Sequence, residues 1–201
     1  MIAAQSPHHL TPEDYLAQER HSEIKHEYIN GEVYAMAGTT KTHNTISLNT
    51  AMLLRMGLRS SQCETFMADV KVGFVNNTRF FYPDLVVTCD SEDDSDPDII
   101  RSPKLIIEVL SKSTEAYDRG KKFQDYRTLP SLQEYVLISS QEYLVDVFRR
   151  AENNLWLLQS YQGEDAIAQF QSINIDAPLA EIYATVDPGE PPDRPDDTPP
   201  S

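Results

Sequence analysis

Two carboxylates in this 201-residue chain sit where carboxylates are costly. Glu108 lies inside the apolar run Leu105-Ile106-Ile107-Glu108-Val109-Leu110, and an ionised side chain in a buried strand needs a cation or hydrogen-bond donors to compensate its lost hydration. Asp84 follows Tyr82-Pro83 and opens a second apolar run, Leu85-Val86-Val87, so its side chain can point back toward the end of a neighbouring strand. Taken singly, each has an ordinary explanation: a strand-edge salt bridge for Glu108, a turn for Pro83-Asp84. Two acids on separate sheet strands are what a hard cation such as Mg²⁺ asks for, because it prefers oxygen ligands and keeps several waters. The chemistry of such a centre is metal-assisted hydrolysis, in which a water is acidified and an anionic substrate neutralised.

A basic cluster, Asp118-Arg119-Gly120-Lys121-Lys122, follows the second acid. Asp118 and Lys122 are four residues apart, and on an exposed helix such a pair contributes only ~0.3–0.5 kcal/mol.

Positioning these groups requires a sheet and the helices that cover it. Thr11-Pro12-Glu13-Asp14 combines a cap, a first-turn proline and early acids, and predicts a helix to about Arg20. Aromatic and β-branched residues around Asn30-Gly31 predict a hairpin over Glu27 to Ala37. Thr42 to Leu58 reads as an amphipathic helix. Phe66 to Phe74 alternates as a single strand with Asp69 and Lys71 on its polar face, a solvated face or groove wall, and Phe80 to Thr88 reads as the next strand. The segment Asp90 to Pro97 has no apolar residue and reads as a solvated loop. Lys104 to Leu110 is a buried strand, and Ser113 or Thr114 caps a helix to about Thr128. Strands follow at Glu134–Ser139 and Leu144–Arg149, with weaker signals at Leu155–Tyr161 and Ala166–Ile173, before Leu179 to Ala184 closes the fold. The pattern is one α/β domain over residues 1–186, with a disordered acidic, proline-rich tail over 187–201.

The ordered set Glu27-Tyr28-Ile29-Asn30-Gly31-Glu32, His43, Pro83-Asp84, Glu108-Val109-Leu110-Ser111, Asp118-Arg119-Gly120-Lys121-Lys122, Tyr126 and Glu134-Tyr135 resembles the Uma-two family of restriction-endonuclease-like proteins. That family is placed in the PD-(D/E)XK nuclease superfamily. The resemblance implies an α+β fold with a central mixed sheet flanked by helices, preceded by an N-terminal helix and hairpin. It further implies a Mg²⁺ or Mn²⁺ ion held by Asp84, Glu108 and the Val109 carbonyl, and a nucleic-acid substrate, DNA. In the superfamily a lysine stands two residues after the second acid; here that position is Leu110, so the resemblance shifts the catalytic lysine to Lys122, with Lys121 behind it. Glu27 and His43 match family positions and form a second tier of site residues. Paired active sites suit double-strand cleavage and hence a homodimer. Two other readings stay open: a catalytically degenerate nuclease fold serving as a binding or regulatory module, and a hydrolase of RNA or smaller phosphodiesters.

The formal net charge of −15 opposes tight non-specific DNA binding. It is unevenly spread: Asp90 to Asp98 carries six acids and no base, and Asp187 to Ser201 carries five acids against Arg194, so the two segments hold ten of the fifteen net charges. Apolar runs fall well short of the roughly 18–20 residues of a membrane span, and Met1 to Leu10 has no basic flank and apolar stretch of a secretory signal. Cys63 and Cys89 lack paired metal or redox spacing and read as reduced thiols of a cytoplasmic protein with no membrane association.

Overall fold

The structure is a computed structural model that describes residues 2–3, 9–36 and 38–188. In chain order the elements are β1 (Ile2–Ala3), α1 (Pro12–Glu19), β2 (His26–Ile29), β3 (Glu32–Ala35), α2 (Lys41–Leu58), β4 (Glu64–Met67), β5 (Lys71–Gly73), β6 (Arg79–Phe81), β7 (Leu85–Thr88), β8 (Ile99–Ile100) and β9 (Pro103–Leu110). A helical ramp follows, made of α3 (Glu115–Tyr117), a π-turn (Asp118–Lys122) and α4 (Phe123–Tyr126). Then come β10 (Glu134–Ser139), β11 (Leu144–Arg150), β12 (Trp156–Gln162), β13 (Ile167–Phe170), β14 (Ile175–Pro178) and α5 (Leu179–Ile182).

The fold is α+β. Its central sheet has the order β12-β11-β10-β9-β7-β4, and a second sheet has the order β1-β3-β2-β6-β5-β8. Within the central sheet β9 and β10 run parallel, which the helical ramp between them makes possible, while the remaining neighbours are antiparallel. β9 is buried on both faces. Leu105, Ile107 and Val109 pack with Ile46, Leu54 and Leu58 of α2 and with Phe170, Leu179 and Ile182 near the C-terminus. Ile106 and Leu110 face a second cluster containing Phe81, Tyr126, Leu129, Leu132 and Tyr135. Alternation therefore aims Glu108, between Ile106 and Leu110, at the aromatic side.

The hairpin forms as the Asn30-Gly31 signal requires, with both residues at positive φ (48° and 96°). The α2 start is capped by Thr40, whose Oγ1 accepts from the His43 N–H at 3.2 Å. Two expected single strands are each divided between the sheets. The first breaks at Ala68, which has φ 55°, so β4 joins the central sheet and β5 the second one. The next breaks at Tyr82-Pro83-Asp84, since proline has no N–H to continue a ladder. Both breaks are where the chain crosses between layers, and alternation alone does not reveal a crossing. Lys71 is correspondingly buried, not on a solvated face, whereas Asp69 is exposed. The acidic loop likewise hides one member: Asp93 is buried and accepts from Thr88 Oγ1 at 2.6 Å and from the Arg101 N–H at 2.6 Å. Residues 189–201, most of the expected tail, lie outside the described residues.

Cys63 and Cys89 are joined in a disulfide, which corrects the expectation of two reduced thiols. Register is the cause: Glu64 pairs with Thr88, so the residues just outside the two strands face each other. Sequence spacing does not contain that pairing. Titration of the purified, non-reduced protein with a thiol reagent is expected to detect no free cysteine from this pair, and two after reduction and unfolding. Reactive thiols before reduction would contradict the bridge.

Candidate active site

The register of β7 against β9 sets the site's geometry. Leu85 pairs with Ile107 and Val86 with Ile106, so one step further Asp84 comes level with Glu108, on the face shared by Val86 and Ile106. Asp84 Oδ2 accepts the Val109 N–H at 2.7 Å, which anchors the carboxylate to the end of β9. In an extended strand the N–H and C=O of one residue point to the same edge, so the Val109 carbonyl also faces the Asp84 side. On the other flank of Asp84, His43 in the first turn of α2 places Nε2 3.1 Å from the same Oδ2.

Glu108 is 4% exposed and Lys122 5%. The Lys122 amine lies 2.8 Å from Glu108 Oε1, 3.1 Å from Glu27 Oε1 and 3.9 Å from Asp118 Oδ1. Glu27, from β2, is itself buried and also accepts the Tyr82 N–H at 3.3 Å. Tyr126 donates its hydroxyl to Glu108 Oε1 at 3.2 Å, and Tyr135 donates to the Asp118 carbonyl at 3.0 Å. All five side chains singled out from the sequence thus meet at one end of β9. Glu27 is not on the hairpin's surface, and Asp118–Lys122 is not an exposed helix pair. Lys121 instead points outward and pairs with Asp125 at 3.1 Å, which separates the two adjacent lysines. Leu110, where the resemblance led one to look for a lysine, is buried in the aromatic cluster and is part of the core.

The helical ramp explains how Lys122 reaches the site. Its π-turn closes i→i+5 hydrogen bonds, a local widening that inserts a residue and redirects side chains, common at functional sites. The cap at Ser113 or Thr114 predicted a helix to about Thr128; nothing in the residue pattern distinguishes the π-turn.

Burial pushes the Glu108 carboxyl well above the usual carboxylate range, against the opposing pull of Lys122. Burial also works against the Lys122 charge, but Glu108, Glu27 and Asp118 outweigh it and hold the amine well above its ordinary value. The ammonium is therefore the charged centre of the cluster, while burial favours the neutral form of the Glu108 and Asp118 carboxyls.

Among the described residues, no three His, Cys, Asp or Glu side chains converge as a metal-binding group. Asp84, Glu108 and the Val109 carbonyl offer two carboxylates and one main-chain oxygen, an all-oxygen set that fits an ion retaining several waters better than a fully protein-ligated one. Two features of this site escaped the sequence reading: the burial of the hydroxyl of the half-buried Tyr117 beside this cluster, and the support of Glu27 by the Tyr82 main chain. The first could have been suspected from its place directly before Asp118; the second has no local signal.

Comparison with known proteins gives four concordant matches. The family model Uma2, described as "Putative restriction endonuclease", matches residues 12–180. Two uncharacterized proteins of Synechocystis sp., slr1290 and sll1609, are 40% and 34% identical over 87% and 83% of this chain, covering 91% and 95% of their own lengths. A crystal structure from Anabaena variabilis, described as a putative nuclease belonging to DUF820, superposes with a TM-score of 0.71 at 18% identity, over 87% of this chain and 97% of that one. This last likeness establishes the shared fold.

Replacing Lys122 with Met should expose the electrostatic balance. Removing one partner of a buried ion cluster costs about 3–5 kcal/mol. Because the folded-state pKa of Glu108 is raised, the folded protein retains a proton that the unfolded chain has lost, so stability falls as pH rises above the unfolded carboxyl value. Without Lys122 the folded-state value rises further, because the amine's pull on it is lost. In chelating buffer, urea unfolding of Lys122→Met is expected to show a loss that grows as pH rises above the unfolded carboxyl value and shrinks as pH falls toward it. A pH-independent loss would contradict this account.

Proposed function

Because this chain belongs to the Uma2 family, we propose that it is a metal-dependent nuclease that hydrolyses phosphodiester bonds of nucleic acid, DNA in the first instance. The observation that carries the reading is the buried Lys122 amine set between Glu108 and Glu27, with Asp84 level with Glu108 on the neighbouring strand. A structural salt bridge needs one acid for one base. Here Lys122 has three carboxylates within 4.0 Å, and Asp84 stands beside them with a histidine of its own. Such an excess of negative charge around one end of a strand suits a site completed by a divalent cation.

Asp84, Glu108 and the Val109 carbonyl are the residues that would hold Mg²⁺ or Mn²⁺. When bound, the ion supplies an acidified water and neutralises phosphate charge. The remaining work falls to the chain. Lys122 orients the attacking water and stabilises negative charge as it develops on phosphorus-bound oxygen. Glu27 holds the amine in place from β2, and Glu108 would ligate the ion from β9. His43 fixes the Asp84 carboxylate from the first turn of α2. In the reaction the water oxygen forms a bond to phosphorus, one phosphorus–oxygen ester bond breaks, and the leaving oxygen takes up a proton.

A homodimer belongs to this reading, supported by β12. This seven-residue edge strand of the central sheet carries no charged side chain and exposes Leu157 (62%) and Leu158 (55%). An uncharged edge is the kind that pairs with another copy of itself. A cytoplasmic location also belongs to it, on the ground of the substrate; among the described residues no helix is long and apolar enough to cross a membrane.

The acidic balance of the chain favours a second reading, a degenerate nuclease fold that binds without cleaving. Incubation of the purified protein with plasmid, single-stranded DNA and RNA in Mg²⁺ or Mn²⁺ separates the two. Cleavage is expected, falling at least about a hundredfold in Asp84→Ala and in Glu108→Ala, with Lys122→Met similarly impaired. Cleavage that survives both acid substitutions comes from another protein, and binding without cleavage favours the second reading.

A further inference from the structure

Burying a polar atom without a partner is costly, and folded proteins do it rarely. Among the described residues six side-chain atoms stand in that position. Two of them, Arg79 Nε and Asp125 Oδ2, face each other at 3.2 Å, so they compensate by charge. Thr65 Oγ1 and Ser131 Oγ lie elsewhere in the fold. The last two are His43 Nδ1, on the histidine that flanks Asp84, and the hydroxyl of Tyr117.

Tyr117 is the last residue of α3, immediately before the π-turn that ends at Lys122. The wider turn carries residues four and five apart to neighbouring positions, so Tyr117 and Asp118 flank the direction in which Lys122 points. Glu27, Lys122, Asp125 and Asp118 all lie close enough for their charges to act on its hydroxyl. The comparison with neighbouring tyrosines is informative. Tyr126 spends its hydroxyl on Glu108 and Tyr135 on the Asp118 carbonyl, yet Tyr117 spends its own on nothing within the fold. A phenylalanine would fill the same space at no polar cost. The fold thus gives this hydroxyl no acceptor of its own, at a point where the Lys122 charge is near.

We propose that Tyr117 is a further catalytic residue of this site, donating its hydroxyl to a non-bridging oxygen of the scissile phosphate while Lys122 faces the same group. The inference rests on the nuclease reading and specifies how the substrate is held. The acceptor must be an oxygen with a lone pair to offer, and an anionic phosphate beside an ammonium meets that requirement. Burial, and after it the Glu27 carboxylate, pushes the phenol above its usual range, so the hydroxyl keeps the proton it donates. Tyr117 thus supplies a neutral donor where the ammonium supplies charge, a division of labour common where negative charge grows in a transition state.

Tyr117→Phe tests this, since it removes the oxygen alone. Four measurements are made on wild type, Tyr117→Phe and Asp84→Ala: thermal unfolding, binding of a fluorescent DNA duplex in Ca²⁺, the cleavage rate in Mg²⁺ or Mn²⁺, and the rate on a duplex with phosphorothioate linkages. The expected result is an unfolding temperature equal to or above wild type, because no internal hydrogen bond is lost. Alongside it, kcat should fall roughly ten- to a hundredfold with little change in KM. Sulfur accepts hydrogen bonds poorly, so the phosphorothioate penalty should be smaller in Tyr117→Phe than in wild type. Wild-type rates in Tyr117→Phe overturn the inference and leave the nuclease reading standing. So does a fall in unfolding temperature of several degrees, which assigns the hydroxyl to the fold, and so does an unchanged phosphorothioate penalty. If wild type cleaves no faster than Asp84→Ala, the nuclease reading itself fails. The inference then falls with it, and unchanged duplex binding in Tyr117→Phe removes the phosphate contact as well.

Discussion

An ammonium group buried at 5% exposure holds this structure's functional end together. Lys122 can be charged there only because carboxylates approach it from different parts of the chain: Glu27 from β2, Glu108 from β9 and Asp118 from its own turn. The second sheet, the central sheet and the helical ramp are thus fastened at one point. Each carboxylate in turn is tolerable only because the ammonium is present. Removing Lys122 leaves three buried carboxylates without their cation, and removing a carboxylate weakens the field that keeps the ammonium charged, so the arrangement is cooperative as well as costly.

The surroundings sharpen these electrostatics. Phe81, Tyr126 and Tyr135 form an aromatic layer beside the cluster, with ring centroids of Tyr126 5.4 Å from Phe81 and 5.5 Å from Tyr135. Such a layer excludes water and lowers the local dielectric, which strengthens both attraction and repulsion among the buried charges. The tyrosine hydroxyls then satisfy acceptors that water would otherwise serve. The acidic surplus is largely elsewhere, in the Asp90–Asp98 loop and beyond Asp187. Even in that loop Asp93 turns inward to tie Thr88 to Arg101, which steadies the strand that Asp84 opens.

Elements governed by local chemistry were legible from residue order. The Asn30-Gly31 hairpin, the Thr40-capped α2, the β9 run and the Glu134 and Leu144 strands all depend on neighbours a few residues away, and they form at or within a residue or two of the expected positions. Segments whose conformation depends on distant partners were not. The two divided strands look continuous because alternation persists through Ala68 and Tyr82-Pro83-Asp84, although the chain changes sheets there. The π-turn has no compositional mark, and the Cys63–Cys89 pairing follows from a cross-strand register.

For the site, the kinds of group present and their order along the chain were determined by the sequence: a carboxylate after proline, a carboxylate inside an apolar run, and a lysine on the following helical segment. Family resemblance added Glu27 and His43 to that set. Only the tertiary structure decided that Lys122 and not Lys121 turns inward, that Glu27 is buried against it, and that Tyr117 is left with an unspent hydroxyl. The physical reason is that a side chain's chemical type is local, whereas its hydration and its opposing charge are supplied by whatever the fold brings beside it.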